Sequence, residues 1–224
     1  MVLHQEAYVE DVVFDRELPL DVREQSASHW TPIRVAARVA AICDGRGVSN
    51  LLDAGCGPGK FSIVAGRLRP SLDIHGVDSS PRLVNVGRRV ANHLGASNVR
   101  FSVADVTRLS WQHYDGIYFF NPFAENLPAD DEQPSNANEY LVPVTSELLR
   151  VTALLASLRV GTVVVTYHGL GAPIPPSYDL VEDEKAGTDR IRVWVKGSTR
   201  QHANWRWFEA ADQVFCWPVP DDVT

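Results

Sequence analysis

The stretch LLDAGCGPGKF, Leu51 to Phe61, constrains the fold more than any other part of the chain. Two leucines run into an aspartate, and glycine then takes every second position: Gly55, Gly57 and Gly59. An apolar run ending in glycines reads as a buried strand that breaks into a tight turn, and the next segment, KFSIVAGRL, reads as a helix. Strand, glycine turn and helix open an α/β sheet whose ligands bind at the carboxyl edge, where this turn would lie. A backbone without side chains lets a ligand come close. A tight turn with no ligand would use the same residues, so the rest of the chain has to decide.

Downstream the pattern repeats. LDIHGVD reads as a second strand. SSPRLVNVGRRVANHLG reads as a helix with Ser80 at the N-cap, Pro81 in the first turn and Gly95 just past the end. Leu83, Val86, Val90 and Leu94 give it one apolar face. NVRFSVAD and YDGIYFF are strands three and four. EYLVPVTSELLRVTALLASL is a helix with a stripe through Leu141, Leu148, Leu155 and Leu158, and RVGTVVVTYHG is strand five. SYDLVEDEKAGTDRIRVWVKG reads as two strands joined near Ala186 and Gly187. The repeated β-α units predict an α/β fold: a doubly wound, Rossmann-like sheet, mostly parallel, with helices on both faces and an antiparallel edge hairpin. Ahead of the glycine turn, HWTPIRVAARVAAIC predicts a helix capped by Thr31, with Pro32 as its first residue. The expected organisation is an N-terminal extension (1–30), a ligand-binding domain (31–198) and a C-terminal extension (199–224).

Composition fits one such domain: 224 residues, 45% hydrophobic and 22% charged. A net charge of −7, with no basic groove and no base-stacking aromatic motif, gives no sign of a nucleic-acid partner. No apolar run is long enough for a membrane span, and MVLHQEAYVEDVV lacks the basic start of a secretory signal. Three cysteines, at spacings that fit no zinc site, lead us to expect a reducing, cytoplasmic location and no metal. The acidic stretch ENLPADDEQPSNAN, Glu125 to Asn138, reads as a mobile surface loop or a lid over a site. Oligomeric state leaves no signature in the sequence.

Three further features fall where a nucleoside ligand would need them. Asp78 ends the second strand, where a carboxylate can accept both ribose hydroxyls. Asp105 ends the third strand in VADVT, placed to accept from an exocyclic amine. Asn121-Pro122-Phe123 ends the fourth strand beside the same crevice. This set resembles the class I S-adenosylmethionine-dependent methyltransferases over about Val48 to Gly197. LLDAGCGPG is similar to their first motif, GVD to the ribose-binding acid, VADV to the adenine segment, and NPF to the motif beside the transferred methyl group. The resemblance implies S-adenosylmethionine as cofactor. Asp53, Gly55, Gly57 and Gly59 would surround its methionine part, Asp78 its ribose, and Asp105 with Val106 its adenine. A nicotinamide dinucleotide turn instead spaces its third glycine further on, G-x-G-x-x-G, to admit a pyrophosphate at a helix N-terminus. Here the spacing is G-x-G-x-G, and a phosphate-free sulfonium suits the nearby acids better.

Two finer resemblances concern the acceptor. NPF is similar to the N-P-P-aromatic motif of amino-methyltransferases, which implies that Asn121 and Phe123 hold and stack on a target nitrogen; this chain has one proline where they have two. HWTPIRVAARVA ahead of LLDAGCGPGKF, followed by FFNPFAE, resembles the layout of histone lysine methyltransferases lacking a SET domain. It is most similar to uncharacterised bacterial methyltransferases with H-W-T-P, N-P-F-A-E and T-Y-H-G segments. That layout implies that Thr31 touches the cofactor's amino-acid end; a plain N-cap would also explain it. Glu125 could orient an amine or belong to the acidic surface. Tyr167 and His168 end the fifth strand, where a histidine acts as a general base or as a hydrogen-bonded turn residue. Trp30 could wall the pocket or pack in the core. The expected activity is methyl transfer from S-adenosylmethionine to an unidentified acceptor, with a nitrogen of a protein or small molecule as the candidate. The competing expectation is a protein that binds S-adenosylmethionine or S-adenosylhomocysteine without catalysis, as a sensor or scaffold.

Overall fold

The computed structural model describes residues 11–120, 147–170 and 174–198 in full, and Ser146, 204–210 and 213–219 by backbone alone. A seven-stranded sheet organises the chain. Its strands are β1 (Asn50–Ala54), β2 (Asp73–Asp78), β3 (Val99–Val103), β4 (Gly116–Phe120), β5 (Val163–Tyr167), β6 (Tyr178–Ala186) and β7 (Asp189–Lys196), in spatial order β3-β2-β1-β4-β5-β7-β6. β1 to β5 pair in parallel, while β7 lies antiparallel to β5 and β6 antiparallel to β7. This is the mixed, mostly parallel Rossmann-like sheet that the β-α repeats predict. The strand order reverses between β1 and β4, and at that switch point crossover segments diverge and leave a crevice at the carboxyl ends.

Adjacent residues of the central strands serve opposite cores, as period-two geometry requires. Leu51 and Tyr118 join one cluster, under α4 (Ile33–Gly45), α5 (Lys60–Leu68) and α6 (Pro81–His93). Leu52, Ile117 and Phe119 join the other, under α7 (Ser146–Ser157). α6 begins as its sequence dictates, with the Ser80 hydroxyl accepting from the Leu83 amide and Pro81 at the first helical position. β3 ends at Val103, short of Asp105, because Asp105 turns the chain into a 3₁₀ turn, Val106–Arg108. The tryptophan-rich tail forms an antiparallel pair of its own, β8 (Asn204–Ala210) with β9 (Gln213–Val219). Among the described residues no helix is long and apolar enough to cross a membrane.

Residues 11–15 form helix α1, and two short helices follow, α2 (Leu20–Arg23) and α3 (Ser26–His29). Phe14, Leu18 and Val22 are buried within the α4–α6 core, so this extension packs as part of the domain. The attachment is electrostatic as well. Lys60, the first residue of α5, is only 2% exposed. Its ammonium meets Asp11 at 2.7 Å, Asp15 at 2.8 Å and the Ser26 hydroxyl at 3.0 Å. A cation at a helix N-terminus opposes the helix dipole, and two carboxylates offset that cost. Thr31 is not the cap of α4: Pro32 occupies that position, and the Asp11 carboxylate accepts from the Ile33 amide at 3.0 Å in place of a local cap.

Lys60→Met retains the volume and leaves Asp11 and Asp15 without their cation. Removing one partner of a buried pair costs about 3 kcal/mol or more. Urea unfolding should show a loss near that figure, and hydrogen exchange should rise across residues 11–30 more than in β1 or β4. Unchanged stability would mean that this cluster does not hold the extension in place.

Candidate active site

The glycine turn joins β1 to α5 at the carboxyl edge of the sheet. Gly55, Gly57 and Gly59 all have positive φ, at 76°, 54° and 78°. At two of them packing adds a second reason for glycine. A Cβ on Gly57 would lie 2.5 Å from the Trp30 ring, and one on Gly59 would lie 2.3 Å from the Phe101 ring. Gly55 alone of the three is exposed. Trp30 is partly buried, and its indole donates to the Val22 carbonyl at 2.9 Å, so it both anchors the extension and walls the turn.

The turn spends its own amides. Gly55 and Cys56 donate to the Val77 carbonyl at 2.9 and 3.0 Å, and Gly59 donates to the Cys56 carbonyl at 2.9 Å. Gly57 donates to the Asp78 carboxylate at 2.9 Å, and the other oxygen of Asp78 accepts from Ser80 at 2.8 Å. A pyrophosphate site needs such amides free to donate. This one has committed them and presents acids instead, an acceptor set that fits a cationic, phosphate-free nucleoside. Sequence reasoning assigned Asp78 to a ribose; its bond to Gly57 shows that it also shapes the turn.

Beneath the turn lies a polar cluster inside an apolar core. Asp53 is 3% exposed, and the Ser62 hydroxyl donates to it at 2.5 Å. No cation pairs with Asp53 among the described residues. Burial pushes its carboxyl up to about 7, with the Ser62 bond opposing the shift and Asp78 adding to it. Opposite it in register on β4 is Tyr118, fully buried, stacked on Phe61 at 3.8 Å between ring centroids. The Tyr118 hydroxyl and that of Thr31 lie 2.9 Å apart, either one able to donate. Burial holds the Tyr118 phenol well above its ordinary range and does the same to the Cys56 thiol, which is therefore inert as a nucleophile. Sequence reasoning missed Tyr118 and Lys60. A lysine at the first turn of a helix, against the dipole, was the available signal for Lys60; Tyr118 offered none beyond its place in β4.

Asp105, at the end of β3, is exposed and accepts from the Thr107 amide at 2.9 Å and hydroxyl at 2.7 Å, with Arg108 at 3.0 Å. Those bonds, the Thr107 hydroxyl foremost, hold its carboxyl below the usual range. Val106 follows, partly exposed, on the same edge. At the end of β5, the Tyr167 hydroxyl donates to the Ala186 carbonyl at 2.9 Å. His168 meets Asp189 through Nδ1 at 3.0 Å and Thr188 through Nε2 at 3.3 Å. Both ring nitrogens face the β6–β7 turn, the arrangement of a hydrogen-bonded turn residue. Asn121, Phe123, Glu125 and the acidic stretch to Asn138 lie outside the described residues.

A family model described as a methyltransferase domain matches residues 48–167. That span begins just before β1 and ends with β5, and so contains the five parallel strands and the glycine turn. Among solved structures of similar fold is an RNA methyltransferase from Salinibacter ruber in complex with S-adenosyl-L-homocysteine, with TM-score 0.54, 20% identity, and coverage of 77% of this chain and 96% of that one. Another is the magnesium protoporphyrin IX methyltransferase of Synechocystis PCC 6803 with bound cofactor, with TM-score 0.54, 17% identity, and coverage of 80% and 85%. A trans-aconitate 2-methyltransferase from Enterobacter sp. (strain 638) is 30% identical over 110 residues, which are 49% of this chain and 38% of that protein. The sheet order and the glycine turn are those of a Rossmann-like methyltransferase domain. The chain belongs to the methyltransferase-domain family.

Because burial raises the Asp53 carboxyl from its ordinary value of 3.8 to about 7 in the folded chain, its proton stabilises the fold. That contribution is complete below about pH 4 and is lost as pH rises to about 7. A shift of this size corresponds to on the order of 4 kcal/mol. Ligand-free wild type should therefore lose stability relative to Asp53→Asn across pH 4 to 8, as followed by urea midpoints. Parallel pH curves for the two proteins would contradict the assignment.

Proposed function

We propose that the crevice binds S-adenosylmethionine at the glycine turn and that the chain transfers its methyl group to a nitrogen acceptor, of a protein or small molecule, at the end of β4. The observation that carries the cofactor half is the commitment of the Gly55, Cys56, Gly57 and Gly59 amides within the protein, next to the acids Asp53 and Asp78. A cofactor with a sulfonium, an ammonium and no phosphate matches that set. On this reading Thr31 and Asp53 face its amino-acid end, Asp78 its ribose, and Asp105 with Val106 its adenine. The cofactor supplies the methyl group; the chain aligns donor and acceptor and excludes water, and such approximation carries much of the rate in a displacement of this kind.

The acceptor half rests on the similarity of NPF to amino-methyltransferase motifs. On this reading the Asn121 side-chain oxygen orients the nitrogen and Phe123 stacks on it. The substrate in the name of the Enterobacter relative does not carry over, since the match covers 38% of that protein. Residues 31–198 would form the methyltransferase unit, with 1–30 and 199–224 as extensions. Cys43 and Cys56, both free and buried, support a reducing compartment such as the cytoplasm.

Calorimetric titration with S-adenosylhomocysteine tests the cofactor half, and methyl labelling of fractionated lysate tests the acceptor half. Asp78→Ala should weaken binding by about 1.5–3 kcal/mol, roughly ten- to a hundredfold. Asn121→Ala should bind normally and lose turnover, because an orienting contact matters most in the transition state. Unchanged affinity in folded Asp78→Ala would remove that residue from the site. Equal loss of affinity and turnover in Asn121→Ala would make it part of the cofactor shell.

A further inference from the structure

We infer that Asp53 makes cofactor binding an exchange: the buried carboxyl gives up a proton to solvent as the ligand's ammonium group takes its place. This inference rests on the reading of the glycine turn as the S-adenosylmethionine site and adds what selects the ligand there. The carboxyl group is 3% exposed and receives its hydrogen bonds from Ser62 alone among the described residues. A buried carboxylate without a counter-charge is costly, so it holds a proton or waits for a cation.

Among the described residues, the groups around Asp53 include no cation to play that part. From β2 it meets Asp78, a second acid that opposes its ionisation. From the turn it meets Cys56, and from β4 Tyr118, both held neutral by burial. Thr31 and Ser62 bring only hydroxyls. Lys60, two residues before Ser62 on α5, is turned away into Asp11, Asp15 and Ser26. Cys43 of α4, a neighbour of Tyr118, is neutral as well, its thiol pushed up to about 12. With no cation among these groups, the carboxyl holds a proton in the ligand-free protein, and on this inference the positive partner arrives with the ligand. S-Adenosylmethionine and S-adenosylhomocysteine both carry an α-ammonium, whereas 5′-methylthioadenosine keeps the nucleoside and thioether and lacks the amino acid. Proton balance is simple: the carboxylic acid O–H bond breaks, the proton goes to buffer, and the carboxylate pairs with the bound ammonium.

The test counts protons and needs no acceptor substrate. S-Adenosylhomocysteine is titrated calorimetrically into the full chain at pH 6 and pH 8, each in buffers of different ionisation enthalpy. With the carboxyl near 7, close to one proton should be released per ligand at pH 6 and few at pH 8. Affinity should rise about tenfold per pH unit below that value and level off above it. 5′-Methylthioadenosine should release none at either pH. Asp53→Asn, which mimics the neutral acid and should fold, should bind S-adenosylhomocysteine with no proton release and with pH-independent affinity. If wild type binds S-adenosylhomocysteine without releasing a proton at pH 6, or if Asp53→Asn releases as many, the exchange is overturned and the cofactor site stands. If S-adenosylhomocysteine fails to bind at either pH, the cofactor site itself is wrong, and the exchange falls with it.

Discussion

The hydrogen bond from the Gly57 amide to the Asp78 carboxylate ties the end of β1 to the end of β2 and fixes the path of the turn between them. Much else depends on that path. Gly59 is brought against Phe101, whose ring also fills the space above Gly76, where a Cβ would lie 2.6 Å from it. Gly57 is brought under Trp30, which in turn holds the Val22 carbonyl and with it the N-terminal helices. Lys60, emerging from the turn, then reaches the acids of α1. The turn is thus a junction of β1, β2, β3, α5 and the extension, and its glycines are needed for that packing as well as for any ligand.

The same geometry decides what can bind. An amide already bonded is not offered to a phosphate, and four are spent within the protein: Gly57 on the Asp78 carboxylate, and Gly55, Cys56 and Gly59 on backbone carbonyls. The acids around the turn are Asp53, buried beneath it, Asp78 at the end of β2 and Asp105 at the turn after β3. A site of this kind discriminates by charge. It penalises a pyrophosphate through repulsion and through missing donors, and it rewards a ligand that carries its own cation.

How far the sequence revealed this follows from the range of each interaction. Local patterns were legible: LLDAGCGPGKF as strand, turn and helix, Ser80 with Pro81 as a helix start, and the closing hairpin as edge strands. Their determinants lie within a few residues of one another. Contacts made across the fold were not. Thr31 reads as an N-cap because threonine before proline at a helix start has that local meaning, but its hydroxyl is used by Tyr118 on β4 and the capping acceptor comes from Asp11. Asp105 reads as a strand end, yet its bonds to Thr107 and Arg108 turn the chain early. His168 was legible as a strand-end residue, but its partners Thr188 and Asp189, some twenty residues on, were not. The positions of Asp53 and Asp78 near strand ends were visible in advance; the lack of a cation for Asp53 among the described residues was not, because it depends on where Lys60 points.

The central claim is that this turn is shaped for a cationic, phosphate-free nucleoside. Amide chemical-shift mapping with matched titrations of S-adenosylhomocysteine and NAD tests it most directly, since it reports on the turn itself. The account predicts saturable shifts at Thr31, Gly55, Gly57, Gly59 and Val106 with S-adenosylhomocysteine, and none at the same concentrations of NAD. Shifts at these amides with NAD at equal or lower concentration would contradict it.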